Sequence, residues 1–294
     1  MKILFNKKFL KHNPDSLFEG SYRIKGFQDI EDTEANGEEF LSLIHTTDYI
    51  NKFKYLCNKN DYLAEVKLSK ETWEAALTAV GLSVLASDQG DFAAVRPPGH
   101  HAYSDRSEGF CFFNNIAIAT QRLVNMGKKV LIIDFDAHHG NGIQELFYRT
   151  DRVMYASIHQ LYTYPMSGFP EQSGEGAGAG YTLNYPLMLN CGDKEFMQAL
   201  DKLLIRGNEF CPDAVAVAAG FDGYHGDRML NLNYTENLFF NIGFKIRRNF
   251  SHVFAVLEGG YHEDIRKLTD NFIEGVNKGA KPPKIQWDDN MAIG

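Results

Sequence analysis

Short apolar runs alternate with helix-period segments along this chain, and that alternation limits the available folds more than any single residue does. Ile3-Phe5, Phe92-Val95, Val130-Asp134, Val153-Ile158, Ala214-Ala218 and Val253-Leu257 read as strands, with a further one at Tyr181-Leu183. Segments near 38–56, 70–87, 114–126, 193–209, 234–249 and 262–277 read as helices. Strand, helix, strand in repetition implies parallel pairing through right-handed crossovers. The expected class is therefore α/β: a single three-layer domain with a mainly parallel sheet flanked by helices. At 294 residues and 44% apolar content, core size is not limiting. The domain is expected to span 1–278, with 279–294, carrying Pro282-Pro283, as a loose C-terminal extension.

In an open parallel sheet, ligands bind beyond the carboxyl ends of the strands. The unusual residues of this chain stand there. Phe92-Val95 is followed by Arg96-Pro97-Pro98-Gly99-His100-His101-Ala102, and Val130-Ile133 by Asp134-Phe135-Asp136-Ala137-His138-His139-Gly140-Asn141-Gly142. Ser157-Ile158-His159, Gly220-Phe221-Asp222-Gly223 and Glu258-Gly259-Gly260-Tyr261-His262 end three more runs.

The run Val130-Ile133 reads as a strand buried on both faces, which normally excludes carboxylates and imidazoles because their desolvation is costly. If the extended conformation continues, Asp134, Asp136 and His138 share one face. With Asp222 from another strand end, Asp136 and His138 would form a three-ligand metal site with an open position, as catalytic sites require. The oxygen-rich donor set favours Zn²⁺ and also suits Fe²⁺ or Mn²⁺. His100 and His101, in a loop stiffened by Pro97 and Pro98, have the pKa range for proton transfer near neutrality. Asp134 or Asn141 could fix an imidazole tautomer. Tyr261, after Gly259-Gly260, is placed to donate to an oxygen that becomes anionic during attack.

Other signals mostly exclude. A net charge of −8 argues against a nucleic-acid surface. The four cysteines form no Cys-x-x-Cys pair, so neither a zinc knuckle nor a disulfide framework is expected. Nothing resembles a signal peptide or approaches the roughly 20 apolar residues of a membrane span, and a cytoplasmic location without a membrane partner is the expectation. Gly174-Glu175-Gly176-Ala177-Gly178-Ala179-Gly180 precedes a strand rather than opening a helix, so it reads as a shaped loop and not a dinucleotide site.

Together these segments resemble the histone deacetylase superfamily, with its arginase-like α/β fold and its class II and acetylpolyamine-amidohydrolase branches. The matches run in order as Arg-Pro-Pro-Gly-His-His-Ala, Glu-Gly-Phe-Cys-Phe-Phe-Asn-Asn, Asp-Phe-Asp-Ala-His-His-Gly-Asn-Gly, Ser-Ile-His, Ala-Gly-Phe-Asp and Leu-Glu-Gly-Gly-Tyr, from Arg96 to Tyr261. The resemblance implies that Asp136, His138 and Asp222 bind Zn²⁺ and that His100 and His101 sit beside the attacking water. It also implies that Tyr261 polarises the acyl oxygen, that Asp134 orients His100, and that Asn141 orients His101. Phe110 and Tyr164, with Gly109, would line a tunnel for the substrate's methylenes. A monovalent cation, K⁺, would lie near Asp134, Ser157 and the backbone around Asp136 and His138. Asn141 and Glu258 stand where class I members usually carry Asp and Gly. The usual His-Pro-Glu element is replaced by His12-Asn13-Pro14-Asp15, which bears on the pocket rim, while Arg23 is expected at the pocket floor.

The implied activity is zinc-dependent amide hydrolysis that removes an acetyl or other acyl group from an N-acylated amine, such as acetyl-lysine in a protein or peptide, or an acetylpolyamine. The alternatives are a noncatalytic acyl-amine binding protein and a dimanganese ureohydrolase.

Overall fold

The apolar runs pair side by side in a computed structural model that describes residues 1–63 and 66–280. In chain order the elements are β1 (Ile3–Leu4), α1 (Thr47–Lys59), β2 (Tyr62–Leu63), β3 (Val66–Lys67), α2 (Lys70–Gln89), β4 (Phe92–Ala93), α3 (Asn115–Asn125), β5 (Val130–Asp134), α4 (Asn141–Phe147), β6 (Val153–Gln160), β7 (Thr182–Leu187), α5 (Asp193–Phe210), β8 (Ala214–Ala219), α6 (Glu236–Asn249), β9 (Val253–Leu257) and α7 (Ile265–Gly279). Seven strands form one parallel sheet in the order β1-β4-β9-β8-β5-β6-β7, flanked by helices. Every residue of β5, β8 and β9 is buried, which is why these strands read as unbroken apolar runs. β4, β9, β8 and β5 are consecutive neighbours, so the segments leaving their carboxyl ends converge.

Several boundaries depart from expectation. The helix expected at 38–56 is broken: Glu38–Leu43 is a 3₁₀ turn, and α1 starts afresh at Thr47. Thr46 is extended and its hydroxyl accepts the Tyr49 N–H at 3.3 Å, so a local cap competes with helix continuation. α4 was not anticipated because its seven residues are too few to establish a period. The strand expected at Tyr181-Leu183 runs instead through Leu187; Pro186 is tolerated because β7 is an edge strand. The small β2–β3 hairpin was also missed. The expected C-terminal extension, from 281 onward, lies outside the described residues. No helix among the described residues is long and apolar enough to cross a membrane.

Candidate active site

Strand β5 stops at Asp134, so Asp136 and His138 do not share a face by strand alternation as the sequence suggested. Two successive side-chain turns bring them together instead. Asp134 Oδ1 accepts the Asp136 N–H at 3.1 Å, and Asp136 Oδ1 accepts the His138 N–H at 2.9 Å, each carboxylate folding the backbone two residues on. Asp222, beyond β8, accepts the Ala137 N–H at 2.8 Å and so reaches the same point. His138 Nδ1 lies 2.6 Å from Asp222 Oδ2 and 3.3 Å from Asp136 Oδ1. One ligand atom from each of these three buried residues falls within 4.8 Å of the others. A side chain at Gly220 or Gly259 would collide with the Asp136 carboxylate, so glycine there is a condition of the cluster.

This donor set fits a divalent cation. Burial and the nearby Asp136 charge push Asp222 above the usual carboxylate range, whereas Asp136, despite its burial, is held below it by His100 and His138. Two carboxylates this close in a dry site resist joint ionisation unless a cation joins them.

The tandem histidines approach from beyond β4, with ring centroids 3.9 Å apart. Glu258 fixes their loop, since its Oε2 accepts the Gly99 N–H at 2.7 Å and the His100 N–H at 3.0 Å. His100 Nδ1 is 3.4 Å from Asp134 Oδ2, which also accepts the Tyr155 hydroxyl at 3.0 Å. His101 Nδ1 is 2.7 Å from Asn141 Oδ1. Their surroundings push the two imidazoles apart. Burial lowers His101, helped by the charges of His100 and His138. For His100 burial is outweighed by Asp136, Asp134 and Glu258, which raise it to about 10.

A cavity of about 450 Å³ opens onto His101, His138 and Tyr261. Phe110 and Tyr164 line it with Gly109, and the Tyr164 ring meets those of His101 and His138 edge-on at 5.1 and 6.2 Å. Gly109 and Phe110 occupy the left-handed region at φ +54° and +67°, closing a tight turn in which Glu108 and Cys111 exchange N–H···O bonds of 3.3 and 2.9 Å. Phe110 holds that conformation without glycine's freedom, so its ring direction is set by its surroundings. Asp134 and Ser157 are partners in register on β5 and β6, and the Ser157 hydroxyl meets His159 Nδ1 at 2.8 Å.

Behind Tyr261 lies a charge network that the sequence reading missed in part. Arg23, expected at the pocket floor, is buried against the Tyr261 segment, its Nε and Nη2 each donating at 2.5 Å to the carbonyls of Gly260 and Glu258, with its guanidinium 4.8 Å from the Tyr261 ring centre; it is not among the residues that line the cavity. The acid that balances it is Glu19, wholly buried, whose Oε1 accepts from Arg23 at 2.9 Å and from Arg96 at 2.8 Å. Glu19 precedes the 3₁₀ segment Ser21–Phe27, so no helical period in the sequence marked it as the partner of Arg23. Asp15, in the substituted motif, is exposed.

The strand ends of this parallel α/β sheet gather Asp136, Asp222, His100, His101 and His138, and of the site residues His101, His138 and Tyr261 face the cavity. The histone deacetylase domain profile matches residues 9–276, and the chain belongs to that family. It is 32% identical over 290 residues to a probable deacetylase of Archaeoglobus fulgidus, covering 88% of this chain and 80% of the relative. It is 37% identical over 241 residues to the acetylpolyamine amidohydrolase of Mycoplana ramosa, covering 78% and 70%. Among solved structures, acetylpolyamine aminohydrolase from Burkholderia pseudomallei superposes with a TM-score of 0.86 at 26% identity, covering 96% of this chain and 100% of that one.

Proposed function

We propose that this protein is a metal-dependent amidohydrolase that removes an acetyl or other acyl group from an N-acylated amine, with acetyl-lysine and acetylpolyamines as the substrate classes. The reading rests above all on the convergence of Asp136, His138 and Asp222 beside His101 and Tyr261 at one cavity. Family membership and the names of the relatives support deacetylation.

Asp136, His138 and Asp222 would hold the ion, Zn²⁺ by preference. When bound, such an ion supplies Lewis acidity to the acyl carbonyl and lowers the pKa of water. His101 is the base. Asn141 Nδ2 donates to the Tyr103 hydroxyl at 3.1 Å, which turns Oδ1 toward the ring; His101 Nδ1 then carries the proton and Nε2 keeps its lone pair. His100, favoured as imidazolium by the surrounding carboxylates, would support protonation of the departing amine. Tyr261 would donate a hydrogen bond from its hydroxyl to the oxygen that becomes anionic, keeping its own proton. Phe110 and Tyr164 hold the alkyl chain, with Gly109 leaving room beside His101. Asp134 and Ser157, with the backbone at Asp136 and His138, are the proposed monovalent-cation site.

A fluorogenic acetyl-lysine substrate and a panel of acetylpolyamines, each assayed with and without chelator, test the reading. Turnover abolished by chelator and restored by zinc is expected; binding without turnover would instead mark a noncatalytic reader. Asp222→Ala should lose activity and bound metal together, and one tightly held metal equivalent remaining in that variant by elemental analysis would contradict the ligand assignment.

A further inference from the structure

We propose that Glu108 makes this site selective for acylated amines that carry a second positive charge along their alkyl chain, a role that deepens the amidohydrolase reading and rests on it. Glu108 is the one carboxylate among the described residues that line the cavity, and no Lys or Arg joins it there. The other walls away from the floor are largely apolar or aromatic, including Leu63, Val66, Phe112 and Met229. A carboxylate beside such surfaces is screened less than one in open water, so its pull on an ammonium is stronger.

The position of Glu108 is fixed rather than swung by a loose loop. Its N–H and C=O are both held by Cys111, across the turn in which Gly109 and Phe110 take positive φ. Glu108 and Tyr164 line the same cavity, the Tyr164 hydroxyl lies beside Gly109, the next residue in the chain, and burial, with the Glu108 charge, keeps that phenol protonated. The nearest basic side chain in sequence is already engaged. Arg106 lies 3.4 Å over the Tyr103 ring centre and 3.3 Å from Asp105 Oδ1.

Discrimination arises from both sides. With the acyl end held between Tyr261 and His101, an ammonium a few methylenes away reaches Glu108 and gains a charge-assisted hydrogen bond. An uncharged chain of the same length fills the apolar walls but strips water from Glu108 without replacing it, which is unfavourable.

The test compares N-acetyl-1,4-diaminobutane with its uncharged isostere N-acetylpentylamine in the same preparation of metal-loaded enzyme, so that the folded fraction cancels. The ratio of their kcat/KM values should favour the diamine in the wild type and fall by about five- to tenfold in Glu108→Gln, mainly through KM. Glu108→Lys should move preference toward 5-acetamidopentanoate, whose chain ends in a carboxylate. A ratio unchanged in Glu108→Gln overturns the inference while leaving the hydrolase reading standing. If the wild type hydrolyses neither compound, calorimetric binding of 1,4-diaminobutane against pentylamine decides, and a preference that Glu108→Gln does not weaken overturns the inference; the hydrolase reading fails only if the acetyl-lysine substrate is not turned over either.

Discussion

The Asn141 side-chain oxygen sits 2.7 Å from Nδ1 of His101, joining the first residue of α4 to the loop beyond β4 across 40 positions of sequence. A neutral amide in that place orients the imidazole without adding charge, so burial is left to keep His101 unprotonated.

Replacing Asn141 by Asp should therefore raise the His101 pKa through the added negative charge and move the acidic limb of the kcat/KM–pH profile to higher pH. Asn141→Ala should lower kcat/KM by about 10- to 100-fold through loss of orientation. A pH–rate profile of Asn141→Asp that overlies the wild type would remove His101 from the role of base.

Tyr261 lines the cavity, and its backbone N–H is held by Asp227 Oδ2 at 2.5 Å, so the main chain stays anchored when the hydroxyl is removed. Tyr261→Phe should retain fold and bound metal while kcat falls by about 10²- to 10³-fold, the scale of a lost oxyanion donor. Near-normal kcat on the best substrate would exclude Tyr261 from the mechanism.

Glu19 is the acid between two buried guanidinium groups. Glu19→Ala leaves both without their carboxylate and should lower stability by about 3–5 kcal/mol in urea unfolding. Leu17→Ala, at a side chain 89% exposed two residues away, should change it by less than about 0.5 kcal/mol. Equal effects from the two substitutions would show that the network contributes little.

His45 offers a pH test remote from the proposed ligands. Its Nε2 accepts the Asn114 N–H at 3.0 Å, and burial lowers its pKa to about 4. An unfolded chain protonates histidine near 6.5 (about 6.5 in model peptides), so below that value the unfolded state binds the extra proton. The contribution is full above about pH 6.5 and is lost as pH falls toward about 4, by up to about 3 kcal/mol. His45→Gln keeps an acceptor that does not titrate, and its stability should fall less steeply across this window. Identical slopes would show that His45 is not protonated on unfolding.

Sequence by itself carried the α/β class, the buried central strands and most of the polar residues that meet at the site. These are local consequences: a strand buried on both faces must be apolar throughout, and ionisable groups beside glycine or proline at its end stand out against it. It did not carry the route by which the groups meet. Asp136 and His138 converge through side-chain turns after β5 has ended, Glu258 holds the histidine loop from β9, and Glu19 balances two arginines from a segment with no helical or strand period. Strand order decided the rest, because only β4, β9, β8 and β5 lying side by side bring segments far apart in sequence to one cavity. Tertiary packing also turned Glu108 from an unremarkable acid into the carboxylate of the cavity wall, since its neighbours there come from separate loops and the hairpin.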